Sequence, residues 1–156
     1  MRTLLLVCLL SSAALAGPKV TAKTTDLYPS KKCKEKIKGE DGQDPVLTCP
    51  AALKGYDVTV SFSAVLTHVT VSGGGKETSF SGLVGKKLEW RLVGGKPATL
   101  LVELADADEE NIGKAINKRI AIYTWGTSTP KAETKIDAKT PVAKAWAAAR
   151  VLADQS

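Results

Sequence analysis

KKLEWRLVGGKPATLLVEL, residues Lys86 to Leu104, holds the clearest pattern in the chain. Leu88, Trp90 and Leu92 alternate with Lys87, Glu89 and Arg91, the period-two signature of a strand with one apolar and one wet face. Gly94 and Gly95 supply the backbone angles of a tight reversal, and Thr99 to Leu104 returns as a second strand. The segment is a hairpin, and its apolar face needs a partner.

The flanking sequence offers more strands. Tyr56 to Val71, YDVTVSFSAVLTHVTV, is the longest β-type run. Tyr56, Val58, Val60 and Phe62 share one parity, whereas Val65, Thr67, Val69 and Val71 share the other. The phase therefore changes near Ser63-Ala64, which predicts a bulge or tight turn dividing the run in two. Ser72-Gly73-Gly74-Gly75 breaks the pattern, and a weaker strand is expected at Glu77 to Phe80. Beyond the hairpin, the acid-rich ADADEENIGKAIN of residues 105–117 reads as a connection. Lys118 to Trp125 resumes alternation, with Ile120 and Ile122 on one side and Ala121, Tyr123 and Trp125 on the other. A last edge strand is expected before Asp137.

The C-terminus differs in kind. Thr140 reads as an N-cap, Pro141 as the first helical residue, and Val142, Ala145, Trp146, Ala149, Leu152 and Ala153 follow helical spacing. This predicts an amphipathic helix over 141–154 that lays Trp146 on the sheet, with Lys144 and Arg150 on the other side. The expected fold class is α+β: a mainly antiparallel β-sheet or sandwich of about five to seven strands with one C-terminal amphipathic helix.

Residues 1–16 read as a secretory signal peptide: Arg2, an apolar core from Leu4 to Leu10, and Ala14-Leu15-Ala16 before Gly17. The apolar run is too short to span a bilayer. Residues 17–156 form a single β-rich domain of 140 residues, and Cys8 leaves with the leader. Cys33 and Cys49 then remain, and for a chain sent to an oxidising compartment a disulfide is the expected pairing. Closing such a loop contributes about 3 kcal/mol in the chain-entropy account.

The net charge is +6, or +5 once Arg2 is removed. Residues 17–38 hold seven lysines against Asp26 and Glu35, so residues 39–156 balance at 14 against 14. The basic character is local, in KKCKEKIK, where Lys31, Lys32, Lys34, Lys36 and Lys38 surround Cys33 on what reads as a tethered, loop-rich arm. A nucleic-acid surface would repeat cations along a face and interleave aromatics, so nucleic acid is not an expected partner.

Several features in order resemble a family of small exported bacterial proteins of uncharacterised function. They are Cys33, Cys49-Pro50, Gly55-Tyr56-Asp57-Val58, Glu89-Trp90-Arg91-Leu92, Gly95-Lys96-Pro97-Ala98-Thr99-Leu100 and the terminal Ala149-Arg150-Val151-Leu152-Ala153-Asp154. The resemblance covers nearly all of residues 17–156. It departs where comparable members carry a further cysteine before the last helix, at Ile136-Asp137-Ala138 here. It implies export and a common fold, and no activity.

Catalytic signals are sparse. The single histidine, His68, lies in the alternating run on the parity opposite Val69 and Val71, facing solvent; nucleophilic catalysis needs a nucleophile beside a base. Ser72 to Lys76 lacks the following helix and Lys-Ser/Thr pair of a phosphate loop. Asp106 to Asn111 begins like a calcium loop, but its glycine falls at Gly113 and its closing position at Asn117, with no bidentate carboxylate. Trp90, Trp125 and Trp146 sit at core spacing. No catalytic residue, metal site or cofactor is assigned.

The five lysines are the one candidate with a mechanism, attracting lipopolysaccharide phosphates, anionic lipid or another polyanion in a salt-dependent way. The expected function is a non-enzymatic exported domain, periplasmic or secreted, binding an envelope component or a protein partner. The alternatives are a hydrolase of envelope polymers using two carboxylates, and a lysozyme-inhibitor-like protein, for which Ser81-Gly82-Leu83-Val84-Gly85 half matches a Ser-Gly-x-x-Tyr motif without its aromatic.

Overall fold

The computed structural model describes residues 18–38, 44–111 and 113–155. The leader at 1–16 lies outside the described residues. Nine strands and one helix follow in order: β1 (Val20–Asp26), β2 (Lys34–Ile37), β3 (Val46–Cys49), β4 (Tyr56–Ser63), β5 (Leu66–Gly73), β6 (Lys76–Val93), β7 (Lys96–Ala107), β8 (Ala115–Thr124), β9 (Pro130–Lys135) and α1 (Val142–Asp154). The strands form one antiparallel ladder from β2 through β9 in chain order, with β1 added on β6. The ladder does not close.

β6 organises the whole. Its first half pairs with β5 as far as Gly82, and from Leu83 it pairs with β7 while β1 takes its other edge. The ladder thus folds into two facing leaves: an upper leaf of β2 to β5 with the first half of β6, and a lower leaf of β1, the second half of β6, β7, β8 and β9. The weak strand at Glu77 to Phe80 and the hairpin strand are therefore one element of 18 residues. Glycine makes the transfer possible. A Cβ at Gly82 (φ +147°) would stand 2.9 Å from the Ala105 carbonyl oxygen, and one at Gly85 would stand 2.8 Å from Glu103 Cβ, both closer than side chains tolerate.

The apolar face of the hairpin finds its partner in the upper leaf. Leu88, Trp90 and Leu92 share a core with Leu47, Val58, Val60, Val69, Val71 and Phe80. Tyr56 meets the rings of Trp90 and Trp125 edge-on at 5.6 and 5.5 Å, and Phe80 stacks on Tyr123 at 5.3 Å. Burying each large side chain contributes about 2–3 kcal/mol. Thr25 of β1 clasps the two leaves. Its Oγ1 accepts from both Trp90 Nε1 and the Ala52 amide, each at 2.9 Å, which satisfies the buried indole.

The phase change at Ser63-Ala64 is the β4–β5 turn, where Ala64 takes φ 49°. Several expectations about the strands need correction. The lysine run is not a loop, since Lys34 to Ile37 pairs with β3 as the edge strand β2. Residues 105–117 are not all connection: β7 runs to Ala107 and β8 starts at Ala115, held by pairing of Asp106 with Ile116 and Ala107 with Ala115. The chain carries more strands than the five to seven expected. Glu89, expected on a wet face, is 6% exposed.

The helix explains Glu89. Leu101, Ile120 and Ile122 form a second apolar face on the outside of the lower leaf, and α1 covers it with Ala145, Ala149 and Ala153. Alanine brings a helix axis close to a sheet. Trp146 packs against the same cluster, as expected; it is half-buried, with the Arg150 guanidinium 5.5 Å from its ring centroid. Arg150 stays on the exposed side of the helix, as expected, and from there bonds Glu89. The expected Thr140 cap does not form: Pro141 holds the cap position with no side-chain hydrogen bond, and Asp137 Oδ1 accepts from the amides of Lys139 and Thr140 at 2.9 and 2.8 Å in the turn ahead of the helix.

Candidate functional site

Two regions gather charged side chains. The first is the edge of the upper leaf. Cys33 Sγ and Cys49 Sγ stand 2.00 Å apart, a disulfide-compatible pair linking the approach to β2 with the end of β3. The alternation of β2 and its pairing of Lys34 with Thr48 put Lys34 on the outer face of the leaf. Lys31, Lys34, Lys36 and Lys38 are exposed and have no hydrogen-bond or ion-pair partner among the described residues. Lys32 is different: its Nζ donates to Asp26 Oδ2 at 2.8 Å. That hydrogen bond lowers the Asp26 carboxyl and raises the Lys32 ammonium from their ordinary values. The cluster of five expected from sequence is thus four open ammonium groups and one paired one. Glu35 is the acid among them, while Glu40 and Asp41 lie outside the described residues.

The second region is a groove of about 720 Å³ along the flank of α1, lined by Thr24, Lys86, Lys87, Glu103, Trp146 and Arg150, with Glu89 and Gly85 also on its wall. Its size falls in the ordinary range for small-ligand sites, roughly 300–1,000 Å³. One end is built from ion pairs. Arg150 reaches Glu89 through both arms of its guanidinium, Nη2 to Oε2 at 2.7 Å and Nε to Oε1 at 3.0 Å. Arg91 Nη1 also donates to Glu89 Oε1 at 3.2 Å, and Arg91 Nε donates to Asp154 Oδ1 at 2.9 Å. The Glu89 hydrogen bonds push the Arg150 pKa still higher, and Asp154 does the same for Arg91. Both oxygens of Glu89 are occupied by guanidinium donors, so the group fastens the helix. Glu103, half-buried in the same groove, has no such partner among the described residues.

The remaining sequence candidates stand apart. His68 lies half-buried on the outer face of β5, between Ser61 and Ser81 across the ladder. It borders a shallow hollow of about 370 Å³ with Thr70, Ser79 and Ser128. The acidic loop serves its own hairpin. Asp108 Oδ1 accepts from the amides of Glu110 and Asn111 at 3.0 and 3.3 Å, and Asp106 binds Asn117 and Arg119 at 3.0 and 2.8 Å. Among the described residues no group of three or more His, Cys, Asp or Glu is placed to hold a metal, and no helix is long and apolar enough to cross a membrane. Trp90 and Trp125 are buried in the core.

Sequence reasoning missed the Glu89–Arg150 pair and the groove beside it. The two residues lie 61 positions apart, and no local period links them. The available signal was Glu89 itself, an acid in a strand whose neighbours later proved covered on both faces. In comparisons with protein-family models, with curated proteins and with solved structures, the chain matches none of them.

Proposed function

We propose that the protein is an exported, non-enzymatic binding domain that holds an anionic component of a bacterial envelope at the lysine edge of its upper leaf. The observation that carries this reading is the exposure of the side chains of Lys31, Lys34, Lys36 and Lys38 without partners among the described residues, two of them on β2 and two flanking it, beside the Cys33–Cys49 link. Four ammonium groups fixed within a few residues raise the local concentration of a polyanion, and salt screens the attraction. The three-part pattern of residues 1–16 supports export, as does a cysteine pair at disulfide distance.

The test is capture of envelope components on immobilised protein, washed at low and high salt, beside a variant with Lys31, Lys32, Lys34, Lys36 and Lys38 replaced by Ser. Retention that needs both low salt and the lysines is expected. Retention indifferent to both defeats the reading.

A hydrolase is the second reading, because the groove beside α1 holds two carboxylates, Glu89 and Glu103. It is the weaker one, since Glu89 is engaged by Arg150 and Arg91. Turnover of an envelope polymer that disappears in Glu103→Gln would reverse the order. The lysozyme-inhibitor reading has less support still. Ser81 to Gly85 lies inside β6, where Ser81 and Gly82 pair with β5 and Leu83 and Val84 with β7, so the segment offers no projecting loop to an enzyme cleft.

A further inference from the structure

The outer face of the upper leaf has an order that its sequence does not display. The ladder registers place Lys34 opposite Thr48, Thr48 opposite Thr59, Thr59 opposite Thr70, and Thr70 opposite Ser79. One straight row therefore crosses five strands, an ammonium at one end and four hydroxyls after it. Adjacent strands lie about 4.8 Å apart, so the row extends roughly 19 Å. A parallel row two residues along holds Ser61, His68 and Ser81. Thr48, Thr59, Thr70, Ser79, Ser61 and His68 are all partly open to solvent, and His68 is the one ring in these two rows, with no Phe, Tyr or Trp beside it.

We infer that this face binds an acidic polysaccharide laid across the strands, with the carboxylates of one end over the lysine edge; the inference rests on the polyanion reading above and names the polymer class. A sugar ring is close in length to one inter-strand step, and its hydroxyls each need a donor and an acceptor. Thr and Ser hydroxyls supply both from one atom. The row is pre-arranged as acceptors: Thr59 Oγ1 donates to the Thr70 carbonyl at 3.4 Å, Ser79 Oγ donates to Glu77 Oε1 at 3.3 Å, and Thr70 Oγ1 lies 3.1 Å from Ser79 Oγ, so in this arrangement the sugar hydroxyls donate to these oxygens. Lone pairs on these oxygens remain for a ligand. Lys34, with Lys36 and Lys38 beyond it, meets the anionic substituents. The third row holds Asp57, Ser72 and Glu77; the Glu77 carboxylate accepts from Ser79 Oγ at 3.3 Å, so its charge confines such a chain to the second row and to the Lys34–Thr70 part of the first. A single-stranded nucleic acid would instead need successive aromatic platforms for its bases, and these rows offer His68 alone.

The experiment measures binding of polygalacturonate, a carboxylated glycan, and of polyphosphate, which carries charge without sugar hydroxyls, both at low salt. Three forms of the full chain are compared: the natural sequence, Thr59→Val with Thr70→Val, and the lysine-to-Ser variant. Valine keeps the shape and strand preference of threonine. The expected result is at least a tenfold loss of polygalacturonate binding in the valine variant, unchanged polyphosphate binding there, and loss of both polymers in the lysine variant. Ser61→Ala with Ser81→Ala, expected to weaken polygalacturonate alone, gives a second route should the valine variant not fold. Polygalacturonate binding that survives both hydroxyl variants, or polyphosphate binding without polygalacturonate binding, overturns this inference and leaves the lysine reading standing. Binding of neither polymer, or binding indifferent to the lysines, overturns both.

Discussion

The two leaves present opposite outer faces. On the lower leaf that face is Leu101, Ile120 and Ile122, and α1 covers it; on the upper leaf it is Thr59, Thr70 and Ser79, and no described residue packs over it as a layer. Both leaves are antiparallel and both bury their inner face in the same core. The difference lies in the second parity of each strand. In β7 and β8 both parities are apolar, through Leu100, Leu101 and Val102 and through Ile120, Ala121 and Ile122, so each strand demands cover on two sides. In β4 and β5 one parity is polar and water is sufficient cover. A helix is recruited only where the sheet is apolar twice.

The most severe test places the same charge on each face. Ala149→Glu puts a carboxylate against Leu101, Ile120 and Ile122, and should cost more than about 3 kcal/mol or detach the helix. Thr59→Glu on the open face should stay within about 0.5 kcal/mol. Urea unfolding of the two variants decides, and equal losses would abolish the distinction between the faces.

Next in size is the cysteine pair, which steadies the open leaf as the helix steadies the covered one. Cys33→Ser with Cys49→Ser should lower stability by about 3 kcal/mol, read as a lower urea midpoint. Glu89→Gln should cost roughly 1–3 kcal/mol, because it leaves the guanidiniums of Arg91 and Arg150 facing each other without their shared carboxylate. The side chain of Arg150 is 47% exposed, which keeps the loss below that of a fully buried pair. Thermal unfolding followed by tryptophan fluorescence reports it, and a neutral result would mean the alanine contacts alone hold α1.

The smallest effect concerns the β7–β8 end. Hydrogen bonds from Asn117 and Arg119 hold the Asp106 carboxyl below its ordinary value of 3.8. A carboxyl depressed in the folded state adds stability above its unfolded pKa and loses it as pH falls through the folded one. The contribution is complete at pH 7 and fades below about pH 4. Asp106→Asn should flatten that part of the acid-stability curve, by less than about 1 kcal/mol since the site is solvent-screened. An unchanged curve would show that Asp106 does not share in acid unfolding.

Much of this was legible in advance. Alternation located the hairpin, the β4–β5 break, the last edge strand and the helix, because period and glycine placement are local properties of the chain. The lysine cluster and the cysteine pair were equally visible as composition. The bent β6 was not, because its glycines matter through Ala105 and Glu103, residues some twenty positions away that press on them. Trp146 was legible as a helix–sheet contact, but that Ala145, Ala149 and Ala153 form the fully covered part of that contact was not.

By itself, the sequence determined the central hairpin, the β4–β5 break, the amphipathic helix and where the positive charge sits. Tertiary structure alone decided which strand faces were covered, that Glu89 belongs to Arg150, and that Lys34, Thr48, Thr59, Thr70 and Ser79 stand in one row. The reason is physical. Strand and helix periods arise from neighbouring residues, whereas burial, ion pairing and cross-strand rows depend on register between distant segments, which exists only once the leaves have packed.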